Sequence, residues 1–172
     1  MKFWAKRMDK YYYVVAQLPL LYFDKEPSIS IDYFLQEAQK WLSQRDYTIL
    51  SQARYDATDI AVAGPKLLKE YVKQELYFRR DIAAWRKAQK DGVDYKPDSF
   101  SVSLIKDGNP LEIERALLRR RWDKIVQLEP DFHFDLEFLI LYFFKLQILY
   151  KLSLFDKEKG LLIFQKISKV EI

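Results

Sequence analysis

The chain has 172 residues, 49% hydrophobic and 16% aromatic, with no cysteine and with 29 basic against 25 acidic side chains for a net charge of +4. That apolar content, with 12 Tyr, 12 Phe and 4 Trp, excludes a disordered chain and suits one packed domain. Lack of Cys excludes a disulfide framework, a thiolate nucleophile and a cysteine zinc site, and the mixed charge lacks the concentrated stripe of a nucleic-acid binder.

The opening residues, 1–21, start basic and contain an apolar stretch. Gln17 and Pro19 interrupt that stretch and no small-residue cleavage site follows, so the segment reads as mature protein, with Met8 as an alternative start. Residues 9–18 (DKYYYVVAQL) are open between a strand and a short helix, and the aromatic and β-branched run favours the strand. Pro19 ends the run, and 20–29 read as a loop. Ser30 caps a helix from Ile31, in which Phe34, Leu35, Ala38, Trp41 and Leu42 recur at helical spacing. A short helix is expected over 47–55.

Gly64 and Pro65 open a long helix, with Pro65 at its first position and Leu68, Tyr71, Val72, Leu76, Ile82 and Trp85 on its apolar side, ending at Asp91-Gly92. Residues 93–108, with Pro97 and the alternating SFSVSLI, read as a linker or small β excursion. Asn109-Pro110-Leu111-Glu112 is a helix start with the capping-box spacing. Leu111, Leu118, Trp122, Ile125 and Val126 form that helix's expected buried side, and Pro130 stops it. Asp135 then opens the most apolar helix, to about 154, and a last helix is expected over 156–168. The run FLILYFF at 138–144 falls well short of the roughly 20 apolar residues of a membrane span and is interrupted at Lys145, Gln147 and Lys151, so it reads as a buried helix. The expected fold is all-α, a compact bundle of about five to six helices with room for a short strand pair near the N-terminus and at 99–105. It forms a single helical domain over 1–172, or two lobes (1–92 and 109–172) joined by 93–108. Segments 70–92 and 134–160 echo one another as acidic–aromatic–basic helices ending at Gly, the mark of a duplicated unit or of chance likeness between amphipathic helices.

Catalytic constellations are scarce. His133 is the single His and cannot build a His-based metal site alone. Carboxylate pairs such as Asp32/Glu37 and Glu112/Glu114 sit in lysine-rich amphipathic helices, where a solvated face is the plain reading. GPKLLK at 64–69 lacks the second Gly and the GK[ST] ending of a phosphate-binding loop. No catalytic residue, cofactor or metal is therefore expected. The polar candidates are contact residues: Arg79, Arg80 and Arg86 on one helix, and Arg119, Arg120, Arg121 and Lys124 on another. They are suited to an acidic protein helix or, second, to phosphates. Three consecutive arginines cannot share one face, so one is expected to pair with Glu112, Glu114 or Asp123. Glu137, Lys145 and Gln147 complete the set. Lys145 and Gln147 lie inside an otherwise buried helix, where polar groups need specific partners, Lys145 for example an acid on a neighbouring helix.

The segments KYYYVVAQLPLLYFD (10–24) and DLEFLILYFFKLQILYKLSLFDKEKG (135–160) resemble an uncharacterised bacterial family encoded among the genes of V-type (archaeal-like) rotary ATPases. The resemblance implies a role similar to that of the all-helical component of those ATPases that seats the central stalk on the membrane rotor ring. Glu75, Arg86 and Gly92, and again Glu137, Lys145 and Gly160, echo the acidic–basic–Gly helices of that stalk component. The Asn usual in those helices has no counterpart at 75–86 or 137–147, and 172 residues hold fewer than its three repeated units. The implied protein is non-enzymatic, cytoplasmic and peripheral to the inner membrane face, with other V-type ATPase subunits as partners. A helical nucleic-acid-associated protein using the basic clusters is the alternative.

Overall fold

The computed structural model describes residues 11–59, 64–106 and 108–155. Seven α-helices run through them in chain order: α1 (Tyr12–Ala16), α2 (Ile31–Trp41), α3 (Gln44–Gln52), α4 (Lys66–Asp91), α5 (Ser103–Lys106), α6 (Pro110–Leu128) and α7 (Leu136–Ser153). A 3-10 turn, Glu129–Asp131, joins α6 to the loop before α7. The fold is all-α, and no strand occurs among the described residues. The helix expected over 156–168 lies outside them.

Most boundaries follow local chemistry. The side chains of Ser30, Ser43 and Asp135 accept from backbone N–H groups in the first turns of α2, α3 and α7. Gly92 closes α4 with φ at 68°, a left-handed conformation that costs a Cβ-bearing residue about 1 kcal/mol or more. At α6 the Asn109 side chain accepts from the N–H groups of Leu111 and Glu112 while Glu112 accepts from Asn109 N–H, a complete capping box. Substitution Asn109→Ala is expected to cost about 1 kcal/mol, read as a lower urea midpoint at unchanged slope. Two boundaries shift from expectation. Ser43 starts α3 at Gln44 and Ala53 ends it, so it covers 44–52 rather than 47–55. Pro65 caps α4 from outside instead of occupying its first turn.

Neither strand expectation holds. Tyr12–Ala16 is a short helix that buries Tyr11 and Val14, and the Tyr11 N–H donates to the Phe134 carbonyl before α7. With no neighbouring strand among the described residues, β-branched residues gain more from a one-turn helix packed on α2 than from an unpaired extended chain. The alternating stretch at 99–105 likewise ends in α5, which turns Ile105 into the core.

Helix α7 is the axis of the molecule. Leu139, Ile140, Leu141, Tyr142, Phe143, Phe144, Leu146, Ile148 and Leu149 are all buried, so its middle is covered on every side. Phe34 of α2, Leu50 of α3, Leu68, Tyr71 and Val72 of α4, and Leu118, Trp122 and Ile125 of α6 share that core. A smaller cluster joins Phe78 and Ile82 of α4 to Ile105 of α5 and Leu117 of α6. Both clusters draw on residues from either side of 93–108. The expected stripe of α6 holds at Leu118, Trp122 and Ile125 but not at its ends: Leu111 and Val126 are 39% and 44% exposed, while Leu117 and Arg121 are buried. Trp41, expected inside α2's apolar side, is half exposed and stacks on Tyr13 with ring centroids 5.5 Å apart. Among the described residues no helix is long and apolar enough to cross a membrane.

Candidate functional site

Three polar assemblies organise the charged residues. The first joins α4 to α6. Glu75 and Arg121, only 5% and 9% exposed, form a buried ion pair: Arg121 donates through Nε to both carboxylate oxygens at 3.1 and 3.2 Å and through Nη2 to Oε1 at 2.6 Å. Arg79 donates to the same Oε1 at 2.9 Å and to the Asp56 carbonyl at 3.0 Å, so one carboxylate gathers two arginines and the loop after α3. Burial disfavours the Arg121 cation, but its hydrogen bonds and attraction to Glu75 outweigh that and hold its pKa above the ordinary value. Glu75 and Arg121 were legible in principle. Residues 118, 121, 122 and 125 fall at i, i+3, i+4 and i+7 of one stripe, and 71, 75, 78 and 82 at i, i+4, i+7 and i+11 of another. A charge at such a position signals a buried partner.

The second assembly surrounds α7. Lys145, 8% exposed, pairs with Glu129 of the 3-10 turn, its ammonium 5.6 Å from the Trp122 ring centroid. Gln147 donates to the Ala53 carbonyl at 2.8 Å and accepts from the Tyr55 N–H at 3.3 Å, tying α7 to the chain after α3. The two polar residues read as needing specific partners thus have them inside the fold. Tyr142, also on α7, donates to the Pro19 carbonyl at 2.9 Å, and burial raises its pKa.

The third assembly is centred on Asp81 of α4. Its carboxylate accepts from the Tyr95 hydroxyl at 2.6 Å, the N–H groups of Asp98 and Ser99 at 3.1 and 2.8 Å, and the Ser99 hydroxyl at 2.6 Å. Burial alone would raise the Asp81 pKa; the hydrogen bonds from Ser99, Tyr95 and Asp98 together prevail and hold it below the ordinary carboxylate value. The same bond pushes the Tyr95 hydroxyl up to about 12. No feature of the sequence marks Asp81, because its partners lie 14 to 18 residues away in a loop.

The arginine run splits as its helical spacing requires. Arg119 is exposed and pairs with Asp123 at 3.0 Å, with Asp24 at 3.9 Å. Arg120 is half-buried, donates to the Ser99 carbonyl at 3.0 Å and lies 3.6 Å over the Phe78 ring. Arg121 is spent on Glu75. Arg80 and Arg86 are exposed and, like Lys124, make no ion pair among the described residues. Glu137 stands in the first turn of α7 beside the cavity that holds His133, apart from the basic residues. No group of three or more His, Cys, Asp or Glu among the described residues could hold a metal ion.

The echo between 70–92 and 134–160 does not extend to partners. Glu75 binds Arg121 and Arg79 rather than Arg86, and Lys145 binds Glu129 rather than Glu137. Gly160 lies outside the described residues. This geometry defines an all-α protein with its interior charges committed to tying helices together. Comparison with protein-family models, with curated proteins and with solved structures finds no match.

Proposed function

We propose that the protein is a non-catalytic accessory component of a V-type rotary ATPase, on the cytoplasmic side of the membrane, similar to the helical component that seats the central stalk on the rotor ring. The resemblance at 10–24 and 135–160 supplies the assembly. The observation that carries the reading is the commitment of Glu75, Arg121, Lys145 and Gln147 to contacts between elements. Such ties hold packed helices in one arrangement, as a part that seats or couples other subunits requires. Exposed aromatics, Tyr12, Tyr13 and Trp41 among them, together with Arg80 and Arg86, provide surface for partners.

The test is purification of the tagged protein from gently solubilised membranes of its native cell. Rotary ATPase subunits are expected to co-purify in stoichiometric amounts. Reversing Arg80 and Arg86 to Glu is expected to weaken that recovery at low salt while leaving the thermal midpoint within about 2 °C, since exposed substitutions rarely move stability much. Recovery of the protein alone, or with nucleic acid released at high salt, would refute the reading.

A further inference from the structure

The cleft between α4 and α6 encloses about 550 Å³, with Tyr71, Lys73, Glu75, Arg120, Arg121 and Lys124 in its wall. That volume lies within the range of small-molecule sites. The acids at the cleft are already neutralised: Glu75 by Arg121 and Arg79, and Glu70 at the rim by Lys66 at 3.5 Å. The cations are not. Lys73 from α4, and Arg120 and Lys124 one turn apart on α6, form no ion pair among the described residues.

Two groups that line the cleft, Arg120 and Tyr71, are under-satisfied in a way that indicates a ligand. A guanidinium carries five N–H donors, and Arg120 is half-buried with an acceptor for one of them, the Ser99 carbonyl. Burial, with the neighbouring Arg121 cation, pushes its pKa down despite the attraction of Glu75. Across the cleft Tyr71 is only 5% exposed, and its hydroxyl has no hydrogen-bond partner among the described residues. That hydroxyl lies within electrostatic reach of Glu75, Arg121 and Arg120, all of which line the cleft. A buried hydroxyl without a partner costs about 1–3 kcal/mol, and such groups are rare in native proteins.

We propose that this cleft binds a phosphate group carried by a small molecule, held by Arg120, Lys124 and Lys73 with the Tyr71 hydroxyl as a further donor. Phosphate fits better than carboxylate because three unpaired cations and a hydroxyl exceed what one carboxylate of unit charge can use. A phosphate brings nearly two charges and at least three acceptor oxygens. The inference is independent of the stalk reading: either can fail while the other stands.

The experiment measures the thermal midpoint of the full chain against inorganic phosphate at constant ionic strength, with sodium chloride as balance and acetate as a parallel series. A saturable rise is expected with phosphate and not with acetate. Arg120→Gln is expected to abolish the rise. Lys124→Gln, which removes no hydrogen bond or ion pair among the described residues, weakens the apparent affinity about tenfold, and Tyr71→Phe weakens it several-fold. Arg86→Gln, outside the cleft on α4, leaves the curve unchanged. A rise that never saturates, or that persists in Arg120→Gln and Lys124→Gln, would mean an adventitious ion only and overturn the proposal. An equal saturable rise with acetate would overturn it too, in favour of a carboxylate from an acidic partner.

Discussion

Replacing Glu75 by Gln is expected to lower the unfolding free energy by about 3–5 kcal/mol, one of the largest losses available to a single substitution in this fold. The size follows from what remains behind. Arg121 is 9% exposed and loses its only carboxylate among the described residues, leaving a buried cation without a counter-charge. Arg79, more exposed, turns to water at little cost. Urea denaturation with fluorescence from the four tryptophans reads the change. The double substitution Glu75→Gln with Arg121→Met is expected to regain part of the loss, because an apolar side chain of similar length tolerates the site that an unpaired guanidinium does not. A loss below about 1 kcal/mol for Glu75→Gln would show the pair to be solvated and the α4–α6 tie to be of no consequence.

Asp81→Ala is expected to cost about 2–3 kcal/mol, the scale of a buried, charged hydrogen-bond acceptor removed from its donors. The loss extends beyond Asp81. The carboxylate fixes Ser99, and the Ser99 carbonyl accepts from Arg120, so the loop before α5 links α4 to α6 through two successive polar contacts. Loosening it frees Phe100, which packs edge-on to Phe78 with centroids 5.9 Å apart. The effect depends on pH with a defined sign. Because the folded Asp81 pKa lies below its ordinary value, its stabilising contribution is complete above the unfolded carboxyl value, about 4, and fades as pH falls through the folded value. The stability gap between the protein and Asp81→Asn is therefore expected to be constant from about pH 5 to 7 and to shrink below about pH 4. A gap that stays constant down to about pH 2 would show that Asp81's charge plays no part.

Features set by neighbours along the chain were legible in the sequence. The capping box at Asn109 and Glu112, the left-handed Gly92, the Ser30 and Asp135 caps and the mostly apolar α7 all depend on residues within a few positions. Where the outcome depends on distant packing, local pattern misled. Tyr12–Ala16 carries strand composition, yet finds a helix surface to cover and no strand to pair with. Of the expected α6 stripe, Leu118, Trp122 and Ile125 meet α7 and α4, but the packed face takes in Leu117 and Arg121 and leaves Leu111 and Val126 outside. The basic clusters could be located but not sorted, since Arg119, Arg120 and Arg121 look alike until Asp123, Phe78 and Glu75 are placed beside them.

The position of α7 has a consequence for synthesis. Helices α2, α3, α4 and α6 each turn apolar side chains, Phe34, Leu50, Leu68 and Trp122 among them, toward a helix that the ribosome makes after all of them. Until residues 136–149 emerge, those faces lack the helix they pack around, and the smaller cluster around Phe78 and Ile105 is complete without it. The nascent chain thus carries a large sticky surface for most of its elongation, a period in which holding chaperones have their strongest claim on it.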